Sequence, residues 1–219
     1  MTTESKQASA PLFLNVLPEN DDRAFQRLLA IYTASLIPSS RKSEAALRAM
    51  FANPLYTFQI AKLDEMMVGF AIIARIAEDA ALLEYLAVDG TRRHAGVGRR
   101  LFLESAAPRC VGRRALLIET ESAEPGAPDF EHCLRRHAFY RGLGCHVLSG
   151  LVYRMPRVAE DEPLPMNVWL FASDPPPAVA KARLRNWLQC IYVTVYGRPR
   201  HDPAIDAMLS SLPEAIPLS

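Results

Sequence analysis

Three apolar runs, Tyr56–Leu63, Met66–Ile76 and Ala80–Val88, follow one another with only two to four turn-forming residues between them. Links this short cannot hold a crossover, so the three runs must pair as antiparallel neighbours in a meander. The chain then changes rule. After Val88 come a Gly/Arg stretch, apolar and small residues at helical spacing (Val97, Leu101, Ser105) as far as Pro108, and the almost wholly apolar run Ala115–Thr120. Strand, helix and doubly buried strand in that order predict parallel pairing. The fold class expected is therefore α/β (α+β), with a mixed, mostly antiparallel sheet.

The flanking segments fit around this sheet. Leu12–Leu17 reads as a strand, and Asn20-Asp-Asp supplies capping side chains for a helix over AFQRLLAIYTASL. Ser43–Phe51 gives a shorter helix, with Ser43 as its cap. Asp129–Leu143 reads as a helix ended by Gly144, and strands are expected at Val147–Arg154 and Asn167–Ala172. Beyond Asp174-Pro-Pro-Pro, an amphipathic helix carries Leu184, Leu188, Ile191 and Val195 on one face, and Asp202-Pro203 opens a last short helix with Ile205, Met208 and Leu212. We expect a flexible leader at 1–11, one domain over 12–173, and a helical appendage at 174–219 that packs on the same domain, because its apolar face must be covered.

Composition narrows the function classes. With 25 basic and 24 acidic side chains the net charge is +1, so no global field draws in nucleic acid or an anionic membrane, and any anion site must be local. The apolar runs are too short to span a bilayer, and the N-terminus lacks a signal core; the expected location is the cytoplasm. Cys110, Cys133, Cys145 and Cys190 are widely spaced, which predicts reduced thiols and neither a disulfide framework nor a zinc ribbon. Cys133 and His137 are four apart on the predicted helix but lack companions, so no metal is expected.

The local anion site has a candidate. RHAGVGRR, residues 93–100, lies where the third meander strand gives way to a helix. The first N–H groups of a helix have no internal partner and sit at the positive end of its dipole. Gly96 and Gly98 allow close approach of a ligand to the backbone, and Arg93, Arg99 and Arg100 add charge: an anion clamp suited to pyrophosphate. A phosphate-binding Walker loop would need Lys-Ser/Thr after Gly98, where Arg99-Arg100 stands. A dinucleotide fingerprint would need glycine at Leu101.

Arg93-x-x-Gly96-x-Gly98, preceded by LLEYLAVDG, resembles the pyrophosphate loop of the GNAT superfamily of acyl-CoA-dependent N-acetyltransferases. Phe139-Tyr140-x-x-Leu143-Gly144 is similar to the aromatic-Tyr-x-x-Leu-Gly motif of that family, and ALLIETE falls where its fifth strand belongs. The resemblance covers Leu12 to Met155 in element order and is carried by Leu82–Cys145. It implies a sheet whose fourth and fifth strands splay into a V that admits acyl-CoA. The pantetheine arm would pair with the backbone of Leu86, Ala87 and Val88, and the pyrophosphate would lie on the amides from His94 through Ala95, Gly96, Val97 and Gly98 to Arg99, beside Arg93. Two departures stand out. Cys145 replaces a common aromatic, and Ser122–Cys133 lengthens the link to the helix bearing Tyr140.

Amide formation from a thioester needs a neutral amine, although an alkylammonium has a pKa of about 10, and it needs a proton for the departing thiolate. By the resemblance the base is Glu119 or Glu84, since the family places bases on either strand, and Tyr140 is the general acid. By strand alternation Glu84 shares a face with Leu86 and Val88, and Glu119 shares one with Glu121, an acceptor-binding candidate. For each glutamate the alternative is a solvated or ion-paired carboxylate, and for Tyr140 a core aromatic. Trp187, Tyr192 and Tyr196 read as packing. The function expected is transfer of an acetyl group from acetyl-CoA, without metal, to a primary amine of a small molecule or peptide. The alternative is a non-catalytic acyl-CoA sensor or scaffold of the same fold. No nucleic-acid or membrane partner is expected, and exposed faces could support a homodimer. Arg41-Lys42 with Glu119 and Glu121 could bind an acceptor of either sign.

Overall fold

β1 (Leu12–Val16) leads into α1 (Asp22–Ser35), whose first turn is capped by the Asp21 carboxylate accepting from Ala24 N–H at 2.9 Å. Phe25, Leu28, Ile31 and Tyr32 recur at helical spacing and are buried. Ser43 caps α2 (Glu44–Phe51) in the same way. β2 (Tyr56–Leu63) and β3 (Met66–Arg75) meet at Asp64-Glu65, where φ is 48° and 61°. Two successive positive φ values are what a two-residue hairpin needs to match the strand twist. β4 (Ala80–Val88) completes the meander.

The structure, a computed structural model, describes residues 12–93, 95–110, 114–123, 130–156 and 165–219. The leader 1–11, His94, residues 124–129 of the lengthened link and the side chain of Cys110 lie outside the described residues.

α3 (Val97–Leu101) continues as a π turn over Phe102–Ala106 and a 3₁₀ turn over Ala107–Cys110, where a plain helix was expected. Two residues loosen it. Pro108 has no N–H to donate, and the Ser105 hydroxyl takes the Leu101 carbonyl. β5 (Ala115–Glu121) then pairs parallel to β4, as the crossover demands. α4 (Phe130–Arg141) ends at Gly144, with φ 82°.

The expected strand over 147–154 is instead two short pieces, β6 (His146–Val147) and β7 (Tyr153–Arg154), because Gly150 at φ 78° turns the chain between them. Both pair with β8 (Pro165–Phe171). β9 (Ala178–Ala180) and β10 (Ala215–Pro217), unforeseen in the sequence, form a ribbon that brackets α5 (Lys181–Thr194) and α6 (Pro203–Leu209). The main sheet runs β1-β2-β3-β4-β5-β8-β6.

α3 and α4 cover one face through Val97, Leu101, Phe102, Tyr140 and Leu143. On the other face, α1 and α2 pack over β2–β4, while α5 and α6 pack over β4, β5 and β8 through Leu184, Trp187, Leu188, Ile191 and Ile205. Residues 174–219 thus share a core with the sheet. Among the described residues Cys133, Cys145 and Cys190 are not joined in disulfides, and no helix is long and apolar enough to cross a membrane.

Candidate active site

The parallel pairing of β4 with β5 is short. It runs from Ala80↔Ala115 to Leu83↔Ile118 and stops, while β5 stays paired to β8 as far as Glu121. Past that point the two strands diverge, and the next residues are Glu84 on one and Glu119 on the other.

Strand alternation fails at Glu84. Ile73 pairs with Leu83 and Ile72 with Tyr85, so Glu84 is the extra residue of a β-bulge. Beyond the bulge the parity reverses. Leu86 and Val88 pack under α3, whereas Leu82 lies in the core beneath α5. The expectation that Glu84 shares a face with Leu86 and Val88 is therefore corrected. Its side chain lies on the opposite face, the one that also carries Glu119.

On that face the two carboxylates are almost wholly buried and differ in their company. Lys42, from the segment between α1 and α2, places its ammonium 2.6 Å from Glu84 Oε1. It also donates to the Val195 carbonyl at 3.2 Å and stands 5.7 Å from the Tyr196 ring centroid. Glu84 Oε2 is buried with no hydrogen-bond partner among the described residues. The Tyr56 and Tyr85 hydroxyls lie near enough to draw the Glu84 pKa down without bonding that oxygen. Burial nevertheless pushes Glu84 up, against the pull of Lys42.

Among the described residues no cation pairs directly with Glu119. Tyr153 donates to its Oε1, and Tyr196 to its Oε2 at 2.6 Å. Burial pushes its carboxyl up to about 7, with the two phenols pulling the other way. Six of the chain's seven tyrosines (32, 56, 85, 153, 192 and 196) gather on this face. The seventh, Tyr140, lies across the sheet, packed against Phe102, Phe139 and Trp169, and burial pushes its phenol well above the usual range.

Glu121 does not join the cluster, since its carboxylate pairs with Arg136 of α4. Lys42 and Tyr153 were not singled out from the sequence as partners of the glutamates, and Tyr196 was read as packing. The legible signal was the demand itself: a carboxylate in an apolar strand must find donors.

At the β4–α3 bend, Asp89 holds the turn. Its carboxylate accepts from the Thr91 N–H and hydroxyl and pairs with Arg27 of α1, which together hold it down to about 2. Gly96 has φ 75°, with open space where a Cβ would stand. A Cβ on Gly98 would meet Val88, Phe139 and Leu86 at 3.5–3.7 Å. The first helical bond runs from Arg100 N–H to Gly96 O, so the amides of Val97, Gly98 and Arg99 precede the ladder. Ala95 and Arg93 are exposed. Arg99 reaches toward the Gly142 carbonyl at 3.4 Å, and Arg100 is committed to Glu104. No group of metal-ligating side chains occurs among the described residues.

The comparisons with known proteins bear on this arrangement. The model of the acetyltransferase (GNAT) family matches residues 25–144. No curated protein sequence matches the chain. Among solved structures, one described as an acetyltransferase of the GNAT family from Bacteroides thetaiotaomicron superposes with a TM-score of 0.69 at 20% identity, covering 84% of this chain and 98% of that one. The ribosomal-protein-S18-alanine N-acetyltransferase of Escherichia coli gives 0.55 at 18% identity, covering 75% and 97%. An aminoglycoside 6'-N-acetyltransferase complexed with coenzyme A gives 0.55 at 18%, covering 75% and 99%. At these identities the likeness is one of fold, and the family match spans more than half of the sequence. The diverging β4 and β5, the glycine bend between β4 and α3, and this match lead to one conclusion: the chain belongs to the GNAT acetyltransferase family.

Proposed function

We propose that this protein transfers an acetyl group from acetyl-CoA to a primary amine of a small molecule or peptide, with Glu119 as proton acceptor and Tyr140 as proton donor. The observation that carries the reading is the end of the β4–β5 pairing at Leu83 and Ile118, which leaves Glu84 and Glu119 as the first residues of the divergence. The bend suits a diphosphate. Its glycines leave room at the backbone, its leading amides precede the helical ladder, and Arg93 and Arg99 are at the surface. Leu86, Ala87 and Val88 lie beyond the last β5 pair, so the β5-facing edge of β4 can accept an extended pantetheine arm as an added strand.

Acetyl-CoA, when bound, supplies the thioester. Glu119 takes the proton of the attacking amine, because it can be protonated without breaking an ion pair. Protonating Glu84 would strand the buried Lys42 ammonium. Glu84 instead offers its open Oε2 to an N–H of the acceptor. Tyr140, kept protonated by burial, gives its Oη proton to the departing sulfur from the other face.

A second reading has its own support. The chain's own groups already engage both carboxylates, as they would in a protein that holds acyl-CoA without turnover. Calorimetry with acetyl-CoA, followed by thiol release with a panel of alkyl amines and short peptides, separates the two. Uptake with release that is lost in Tyr140→Phe and Glu119→Gln supports catalysis. Uptake without release supports the sensor, and no uptake defeats both.

A further inference from the structure

The family match ends at residue 144, yet both donors to Glu119 lie beyond it, Tyr153 on β7 and Tyr196 just after α5. We infer that Tyr196 is a positioning residue for Glu119: the helix outside the matched span delivers a phenol that fixes the carboxylate's orientation and keeps it ionisable. The inference rests on Glu119 as the proton acceptor and adds a residue that the family match does not reach.

The placement of Tyr196 is built into its surroundings. Leu184, Leu188 and Ile191 bury α5 against the sheet, and Val195 N–H closes the helix on Ile191 O. Gly197, at φ 61°, then turns the chain, and Arg198 N–H returns to Tyr192 O at 2.8 Å. Tyr196 is thus held at a fixed helix end, with Lys42 bonded to the preceding carbonyl and lying over the Tyr196 ring. Tyr153 serves Oε1 and Tyr196 serves Oε2, so each carboxylate oxygen has one donor and the group cannot rotate without losing both.

Several groups act on Glu119. Tyr153 from β7 and Tyr196 after α5 favour its charged form as donors, and Lys42 favours it by charge, whereas Glu84 on β4 opposes it. Tyr85 and Tyr192 also feel the Glu119 charge. Against burial this deep, the phenols are what leave the carboxylate titratable near neutrality. A hydrogen bond to an ionised acceptor corresponds to about one pH unit or more, so removing one moves the Glu119 midpoint upward by about that amount.

The test is a carbon-13 NMR titration of glutamate-labelled protein without ligand, with the Glu119 carboxyl signal assigned by its loss in Glu119→Gln. Tyr196→Phe keeps the ring and is expected to raise the midpoint by about one pH unit while the far-UV spectrum is unchanged. Incorporating a fluorinated, more acidic tyrosine at 196 keeps fold and donor, and is expected to lower it. A midpoint that neither substitution moves overturns the inference and leaves the role of Glu119 untouched. In the parallel assay, thiol release from acetyl-CoA with the alkyl-amine panel should show its acid limb shifted by the same amount in Tyr196→Phe. If Glu119→Gln retains that limb, Glu119 is not the proton acceptor, and the inference falls with that reading rather than by the titration.

Discussion

The ends of β4 and β5 make a controlled comparison. Each strand carries a glutamate one residue past the last shared pair, and each carboxylate is buried and pushed upward by that burial. One faces an ammonium, the other two phenols. Burial sets the direction in which a carboxyl shifts, but the partner decides what the group can do with a proton. An ion-paired acid cannot accept one without leaving a buried cation behind, whereas one held by neutral donors can.

The comparison breaks most visibly in activity. Glu119→Gln is expected to reduce amine-dependent thiol release by about 10²–10⁴-fold with acetyl-CoA uptake unchanged in calorimetry. An equal loss confined to Glu84→Gln would reverse the two roles. Next in size, Lys42→Met leaves Glu84 buried and unpaired, and urea unfolding should show a loss of about 3–5 kcal/mol. A loss under about 1 kcal/mol would mean the pair behaves like a surface one.

The pH dependence of stability sharpens the contrast further. Glu119 titrates at about 7 in the folded protein against an ordinary value of 4.5, so between those values the native state holds a proton that the unfolded chain has released. Its burial therefore lowers stability as pH rises through that window, and the full effect is felt above it. Glu119→Gln should be more stable than the parent by roughly 2–3 kcal/mol near pH 8, with the gap closing toward about pH 4, as read from urea melts across pH. Smallest of all, Tyr56→Phe removes a long 3.4 Å bond to the Thr194 carbonyl beside Glu84. It should cost under about 1 kcal/mol and leave the neutral titration midpoint where it was. A shift matching that of Tyr196→Phe would erase the distinction between the two sides.

How much of this could be read from the sequence follows the range over which the signal acts. The Asp64-Glu65 turn, the parallel step into β5, the caps at Asp21, Ser43 and Asp202, and the stop at Gly144 are local and were all legible. So was the bend at 93–99, because a spacing of glycines and arginines is a short-range property. The bulge was not. One extra residue at Glu84 reverses every side chain after it, and periodicity contains no mark of where such a residue is inserted. The interruption at Gly150 divided one expected strand into two for a similar reason. The company of the two glutamates was hidden more deeply. Lys42, Tyr153 and Tyr196 come from segments whose own patterns describe a cap region, a short strand and a helix end.

The bond from Lys42 to the Val195 carbonyl joins positions 153 apart. During synthesis Lys42 precedes Glu84, whereas both donors to Glu119, Tyr153 and Tyr196, follow it, so the meander and its crossover emerge with one acid's partner already made and the other's still to come. Contacts of such separation close last, after the chain entropy of a long loop has been overcome. The two ends of the sheet therefore differ in timing as well as in company: the glycine bend is complete in a chain of about 100 residues, whereas the setting of Glu119 is complete only once residue 196 has docked.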